Sequence, residues 1–142
     1  MFENPDARAI EQLLRSARTI AVVGLSPNPA RPSFGVARSL QRFGYRVVPV
    51  NPGHAEILGE RAVPTLDRVG DVLAPGERID VVDVFRRPEH VGAIVDECIR
   101  LRMPAVWLQE GVIDEAAALR ARAAGIFVVM DRCIYRDRAR LG

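Results

Sequence analysis

The residues with the clearest chemical potential lie between Gly24 and Gly35, in the run GLSPNPARPSFG. Gly24 allows a tight backbone turn and Ser26 adds a hydroxyl donor. Pro27, Pro29 and Pro32 stiffen the segment, which reduces the entropy lost when a ligand is held. Arg31 carries a fixed positive charge. Pro32 and Ser33 read as a helix start, whose free N–H groups and positive dipole end attract anions. Gly35 permits close approach to a ligand or to the sheet. These residue types in this order point to a loop that holds phosphate, in preference to a surface loop merely made rigid by proline.

Further polar clusters stand at the ends of apolar runs. They are Asn51, Pro52 and His54; Phe85, Arg86 and Arg87; Gln109 and Glu110; and Asp131 to Cys133. The chain has no lysine, so all 20 of its basic residues are arginine. That excludes lysine Schiff-base chemistry and the Walker-type loop, whose lysine reaches the terminal phosphates. Phosphate recognition must then come from arginine forks, backbone N–H groups and helix N-termini. A net charge of +2, with scattered basic residues, does not suggest nucleic acid as a partner. Cys98 and Cys133 make neither a disulfide framework nor a metal site, and His54 and His90 lack ligand spacing. No segment has the apolar length to span a membrane and no leader is evident, so a cytoplasmic setting is expected.

The elements that position these clusters follow from hydrophobic pattern. Ile10, Leu13, Leu14 and Ala17 recur at helical spacing after Asn4–Asp6. Four further helix–strand alternations follow the first apolar run, Thr19–Val23, with later runs at Tyr45–Val50, Ile79–Phe85, Ala105–Leu108 and Ile126–Met130. One less regular stretch lies between Ile57 and Leu73. Alternating strands and helices predict an α/β chain with a parallel sheet. The expected architecture is a single Rossmann-like, three-layer domain over residues 1–142. Its five-stranded parallel sheet takes the order 3-2-1-4-5. In such sheets ligands bind beyond the carboxyl ends of the strands, where all the polar clusters fall.

The first loop is not Gly-x-Gly-x-x-Gly, and Asn51 stands where an NAD enzyme places an acid for the ribose hydroxyls. Both features count against NAD. The missing acid is compatible with a phosphate on the adenosine ribose, as in NADP or coenzyme A.

Six motifs in order at strand ends resemble the small coenzyme A-binding proteins: Gly24 to Pro27, Arg31 to Gly35, Pro49 to Pro52, Val82 to Arg87, Trp107 to Gly111 and Met130 to Cys133. These are in turn similar to the nucleotide-binding domain of the succinyl-CoA synthetase α-subunit and of NDP-forming acyl-CoA synthetases. The resemblance implies that Gly24, Leu25 and Ser26 hold the coenzyme A phosphates and that Asn51, Pro52 and His54 lie by the adenosine. It places Phe85, Arg86, Gln109 and Glu110 against the cofactor. Arg31 and Arg87 join them on charge. His54 and His90 match no phosphorylated-histidine motif, so the resemblance implies binding of coenzyme A or an acyl-CoA without synthetase chemistry, and no catalytic residue is assigned. The chain would act as a carrier, sensor or regulatory module, as a homodimer or beside a partner subunit. An NADP-dependent oxidoreductase, or a degenerate Rossmann protein that binds only a protein partner, are the alternatives.

Among single residues, Cys98 reads as core. Cys133, beside Arg132, is placed for a mixed disulfide with the pantetheine thiol. Glu110 and Asp131 read as capping or ion-pairing groups rather than an acid–base pair, and Trp107 as core or interface. Asp83, inside an apolar strand, needs partners such as Arg86 or loop N–H groups, because an unpaired buried carboxylate is costly.

Overall fold

Strands with apolar side chains on both faces must lie inside a sheet that is covered on both sides. The computed structural model describes residues 1–142, and every residue of β1 (Thr19–Val23) is buried in it. β2 (Arg46–Val50) flanks β1 on one side. A small antiparallel hairpin follows, β3 (Glu56–Ile57) with β4 (Glu60–Arg61), then a 3-10 helix over Leu66–Asp71. β5 (Val81–Val84), β6 (Ala105–Leu108) and β7 (Phe127–Met130) complete a parallel five-stranded sheet of order β2-β1-β5-β6-β7. The α/β, Rossmann-like class is as expected.

The position of one strand is corrected. The run expected to be strand three, at the outside of strand two, is β5, and it pairs with β1 from Ile20–Val81 to Val23–Val84. The outer position beside β2 is held instead by Val63, through an isolated parallel bridge to Val50. Val63 N–H donates to the Pro49 carbonyl at 3.0 Å, and Asn51 N–H to the Val63 carbonyl at 2.9 Å. Counting that bridge as a strand reduced to one residue restores the order 3-2-1-4-5-6 of nucleotide-binding sheets. The sheet's first crossover thus begins at β1 and its strand-order reversal falls between β1 and β5.

Helices cover both faces. α1 (Ala7–Ser16), α2 (Pro32–Arg42) and α5 (Ile134–Ala139) pack on the face that carries Ile20, Val22, Val81 and Trp107. α3 (Pro88–Arg100) and α4 (Glu115–Ala123) pack on the face that carries Ala21, Val23, Val82 and Leu108. Cys98 is fully buried in that second layer, as read from its spacing, and burial pushes its thiol up to about 12. α5 was not anticipated: four of its six residues are charged or carry a hydroxyl, and only Ile134 is an aliphatic anchor. No helix is long and apolar enough to cross a membrane.

Asp83 does not find the partners expected for it. It lies opposite Val22 and Trp107 in the sheet, and both carboxyl oxygens are buried without a hydrogen bond. Desolvation raises its pKa well above the usual value, which favours the neutral acid. The reason is geometric: in a central strand Asp83 points into the helix layer among aliphatic side chains, while Arg86 lies exposed beyond the strand end.

Candidate ligand-binding cleft

The turn out of β1 is fixed by Gly24, whose φ is +84°. A Cβ there would stand 2.3 Å from the Phe85 carbonyl oxygen and 2.8 Å from Arg86 Cδ. Only glycine lets the first loop pass this close to the tip of β5. Past Gly24 the loop is held by its own side chains. Ser26 N–H donates to Ser33 Oγ at 3.0 Å, Asn28 N–H to Ser26 Oγ at 3.0 Å, and Ala30 N–H to Asn28 Oδ1 at 2.9 Å. The hydroxyl hydrogens of Ser26 and Ser33 remain to donate, since both oxygens serve here as acceptors.

The loop forms one wall of a cleft of about 1200 Å³ at the carboxyl ends of β1, β2, β5 and β6. Of the positions expected to bind, Gly24, Ser26, Arg31, Ser33, Gly35, Asn51, Pro52, Phe85, Arg86, Arg87, Gln109, Glu110 and Cys133 all line it. Leu25 and His54 do not. The Leu25 side chain is fully buried in the core with Val22, Ala37 and Ile134, where an apolar group gains more than in a polar cleft. His54 is exposed on the turn that leads from Asn51 into the β3–β4 hairpin.

Helix starts differ according to whether they open on the cleft. α1 and α4 are capped by Asp6 and Asp114, each accepting a backbone N–H of the first turn at 2.8 and 3.0 Å. α2 and α3 begin instead at Arg31 and Arg87, followed by Pro32 and Pro88, with no side-chain cap. An arginine side chain cannot accept a hydrogen bond, and Pro32 and Pro88 have no N–H. Phe34 and His90 N–H donate to the Arg31 and Arg87 carbonyls at 3.1 and 2.9 Å, so the Ser33 and Glu89 N–H groups are left for another acceptor. Each helix start thus offers a dipole and a guanidinium to one anion.

The cleft is also electrically unbalanced. Arg31, Arg38, Arg86 and Arg87 line it, and none has a carboxylate within ion-pairing distance. Glu110, its one acidic lining residue, is held by Arg136 at 2.9 Å. Asp131 accepts the Gly111 N–H at 2.8 Å. Both carboxylates therefore cap or pair, as read from their positions, and neither is free for acid–base work. Gln109 is buried and its Oε1 accepts the Ile134 N–H at 3.1 Å, so it anchors the start of α5. Trp107 is core, and its Nε1 donates to the Arg132 carbonyl at 2.7 Å. Arg132 itself turns to Asp137 through two hydrogen bonds of 2.7 and 2.8 Å. Cys133 is half-buried at the first turn of α5, facing the cleft.

Sequence reasoning missed Arg38, Ser39 and Tyr135 on the cleft wall. Arg38 and Ser39 follow Gly35 at i+3 and i+4, a spacing that places all three on one helix surface. That signal was present. Tyr135 sits in α5, which had no readable period.

A parallel sheet with a cationic cleft at its carboxyl edge, crossed by a glycine-dependent first loop, defines a Rossmann-like protein. The chain belongs to the CoA binding domain family, which its residues 18–138 match. It is 37% identical over 133 residues to the uncharacterized protein YneT of Bacillus subtilis (strain 168), covering 94% of each chain. It is similar to the structure of cell-free ID.343 from Thermus thermophilus, with a TM-score of 0.88, 37% identity and coverage of 97% of this chain and 100% of that one. It shares its fold with part of the dinucleotide-forming acetyl-coenzyme A synthetase 1 of Ca. Korarchaeum cryptofilum, at a TM-score of 0.67 and 23% identity, over 84% of this chain and 26% of that one.

Proposed function

We propose that this chain is a cytosolic module that binds coenzyme A or an acyl-CoA across the cleft and serves as a carrier, sensor or regulatory subunit. The observation that carries this reading is the convergence of four unpaired arginines and two uncapped helix starts on one cleft. That arrangement suits a ligand with several phosphate charges. The family match supports coenzyme A as that ligand. Asn51 supports it further, since no acid at the β2 tip repels a phosphorylated ribose.

Thermal unfolding or calorimetry with coenzyme A, acetyl-CoA, NADP and NAD side by side tests the reading. Coenzyme A at a hundred times its dissociation constant is expected to stabilise the fold by roughly 2.7 kcal/mol. A response to NADP alone would assign the cleft to the nicotinamide cofactor, and silence from all four would leave a protein partner as its occupant.

The arginines give a second test. Arg31→Ala, Arg86→Ala and Arg87→Ala are each expected to weaken coenzyme A binding by about tenfold or more, the cost of one charge-assisted contact. Since these side chains are exposed and unpaired, unfolding midpoints without ligand should stay close to wild type. Affinity should also fall as ionic strength rises. Wild-type affinity in all three variants would contradict the assignment of the cleft.

A further inference from the structure

A nucleotide bound to this fold brings its ribose to the tip of β2, where Asn51 stands. The Asn51 side chain is already committed within the protein. Its Nδ2 donates to the Leu25 carbonyl at 2.9 Å and its Oδ1 accepts the Gly53 N–H at 2.8 Å. Asn51 therefore ties the first loop to the β2 tip, and as a neutral amide it supplies neither the carboxylate that accepts two ribose hydroxyls nor a positive charge for a phosphate. Recognition on that side of the cleft falls to other groups.

The neighbouring wall is α2, which packs on β2. Its inward face buries Ser33, Ala37 and Leu40. Its cleft face presents Gly35, Arg38 and Ser39, a contiguous i, i+3, i+4 patch. Gly35 needs no special backbone angle, and nothing lies within 4 Å of the point where a Cβ would stand. The fold gains nothing from glycine at this position, where alanine would favour the helix by roughly 0.5–1 kcal/mol. The patch is open, and glycine keeps it so. Arg38 has no carboxylate partner, and its guanidinium carbon lies 5.7 Å from the centroid of the Phe34 ring, one turn back. That contact steadies the side chain without consuming its charge. The Ser39 hydroxyl beside it makes no hydrogen bond within the protein and is free to donate.

We infer that Arg38, with Ser39, forms a second anion subsite that takes a phosphomonoester on the ribose of the bound nucleotide. This subsite is separate from the helix starts at Arg31 and Arg87, which face the diphosphate. The inference rests on the reading of the cleft as a coenzyme A site, and it makes Arg38 the residue that distinguishes coenzyme A from its 3′-dephosphorylated form.

Calorimetry with coenzyme A and dephospho-coenzyme A on wild type, Arg38→Ala and Arg42→Ala tests it. Arg42 is exposed on the same helix but does not line the cleft. Wild type and Arg42→Ala are expected to prefer coenzyme A by about tenfold or more. Arg38→Ala should lose that preference, with its affinity for dephospho-coenzyme A within about twofold of wild type by the additivity of independent contacts. Arg38→Lys should restore part of the preference. A preference that survives in Arg38→Ala, or a wild type that binds both ligands equally, overturns the subsite while leaving the coenzyme A reading intact. Failure of wild type to bind either ligand overturns both.

Discussion

Gly24→Ala is expected to destabilise the fold by roughly 2–5 kcal/mol and to abolish measurable coenzyme A binding. Two costs add at this residue. Its φ of +84° lies in the left-handed region, which an L side chain enters at about 1–2 kcal/mol. The new Cβ would also overlap the Phe85 carbonyl oxygen, which is backbone and cannot swing aside as a side-chain end can. Relief requires the β1 loop and the β5 tip to separate. These two segments carry Ser26 on one side and Arg86 on the other, so separation breaks this wall of the cleft even where the sheet survives. Denaturant unfolding gives the first quantity and coenzyme A titration the second. A Gly24→Ala protein as stable as wild type would show that the close crossing does not constrain the loop.

Gly35 provides the contrast that separates folding from binding. Gly35→Ala should fold at least as well as wild type, because the position is helical and open. Gly35→Leu should also fold, yet its side chain would project into the cleft and displace ligand. The pair of positions therefore predicts opposite outcomes from one type of substitution. Gly24 is required by the fold itself, whereas nothing in the fold requires glycine at position 35.

This difference also marks what was legible in the sequence. Short apolar runs located every strand of the main sheet, because strands buried on both faces carry few polar positions to confuse the pattern, Asp83 in β5 being the exception inside a strand. The polar tips after those runs marked the cleft, since a parallel sheet brings all its carboxyl ends to one edge. The third position of the sheet could not be read. It is a single residue, Val63, and one bridge has no period. Its loss from the pattern moved the name "strand three" to β5. Leu25 and His54 lie off the cleft lining for another reason: they were placed by motif, and a motif does not say which way a side chain turns. Arg38 was missed although its spacing from Gly35 was visible, because charge on the outer face of a helix ordinarily means only solvation. Its meaning depends on the cleft beneath it, which is a tertiary fact.

Asp83 is the place where the chain departs from what its core would favour, and it carries the second large effect. Folding moves its carboxyl out of water into a layer with no hydrogen-bond partner, so the folded state holds the proton far more tightly than the unfolded chain. The usual carboxyl value is 3.8. Below that value both states are protonated and ionisation costs the fold nothing. As pH rises above it, the unfolded chain releases the proton while the folded protein keeps it, and stability falls by about 1.4 kcal/mol per pH unit until the raised folded pKa is reached. Asp83→Asn removes this titration with little change of shape. The stability of Asp83→Asn relative to wild type should therefore grow as pH rises from about 4 toward neutrality. Asp83→Val should add roughly 1–3 kcal/mol more, because it also removes the unpaired polar atoms and places a β-branched side chain beside Val22 and Trp107. Chemical denaturation of the three proteins across that pH range measures both terms. A difference between wild type and Asp83→Asn that stays flat with pH would mean that the carboxyl is solvated or paired in the folded protein, against the geometry of β5. A rising difference would establish that this central strand keeps a neutral acid at a cost in stability, two residues from the Phe85 carbonyl against which Gly24 must pass.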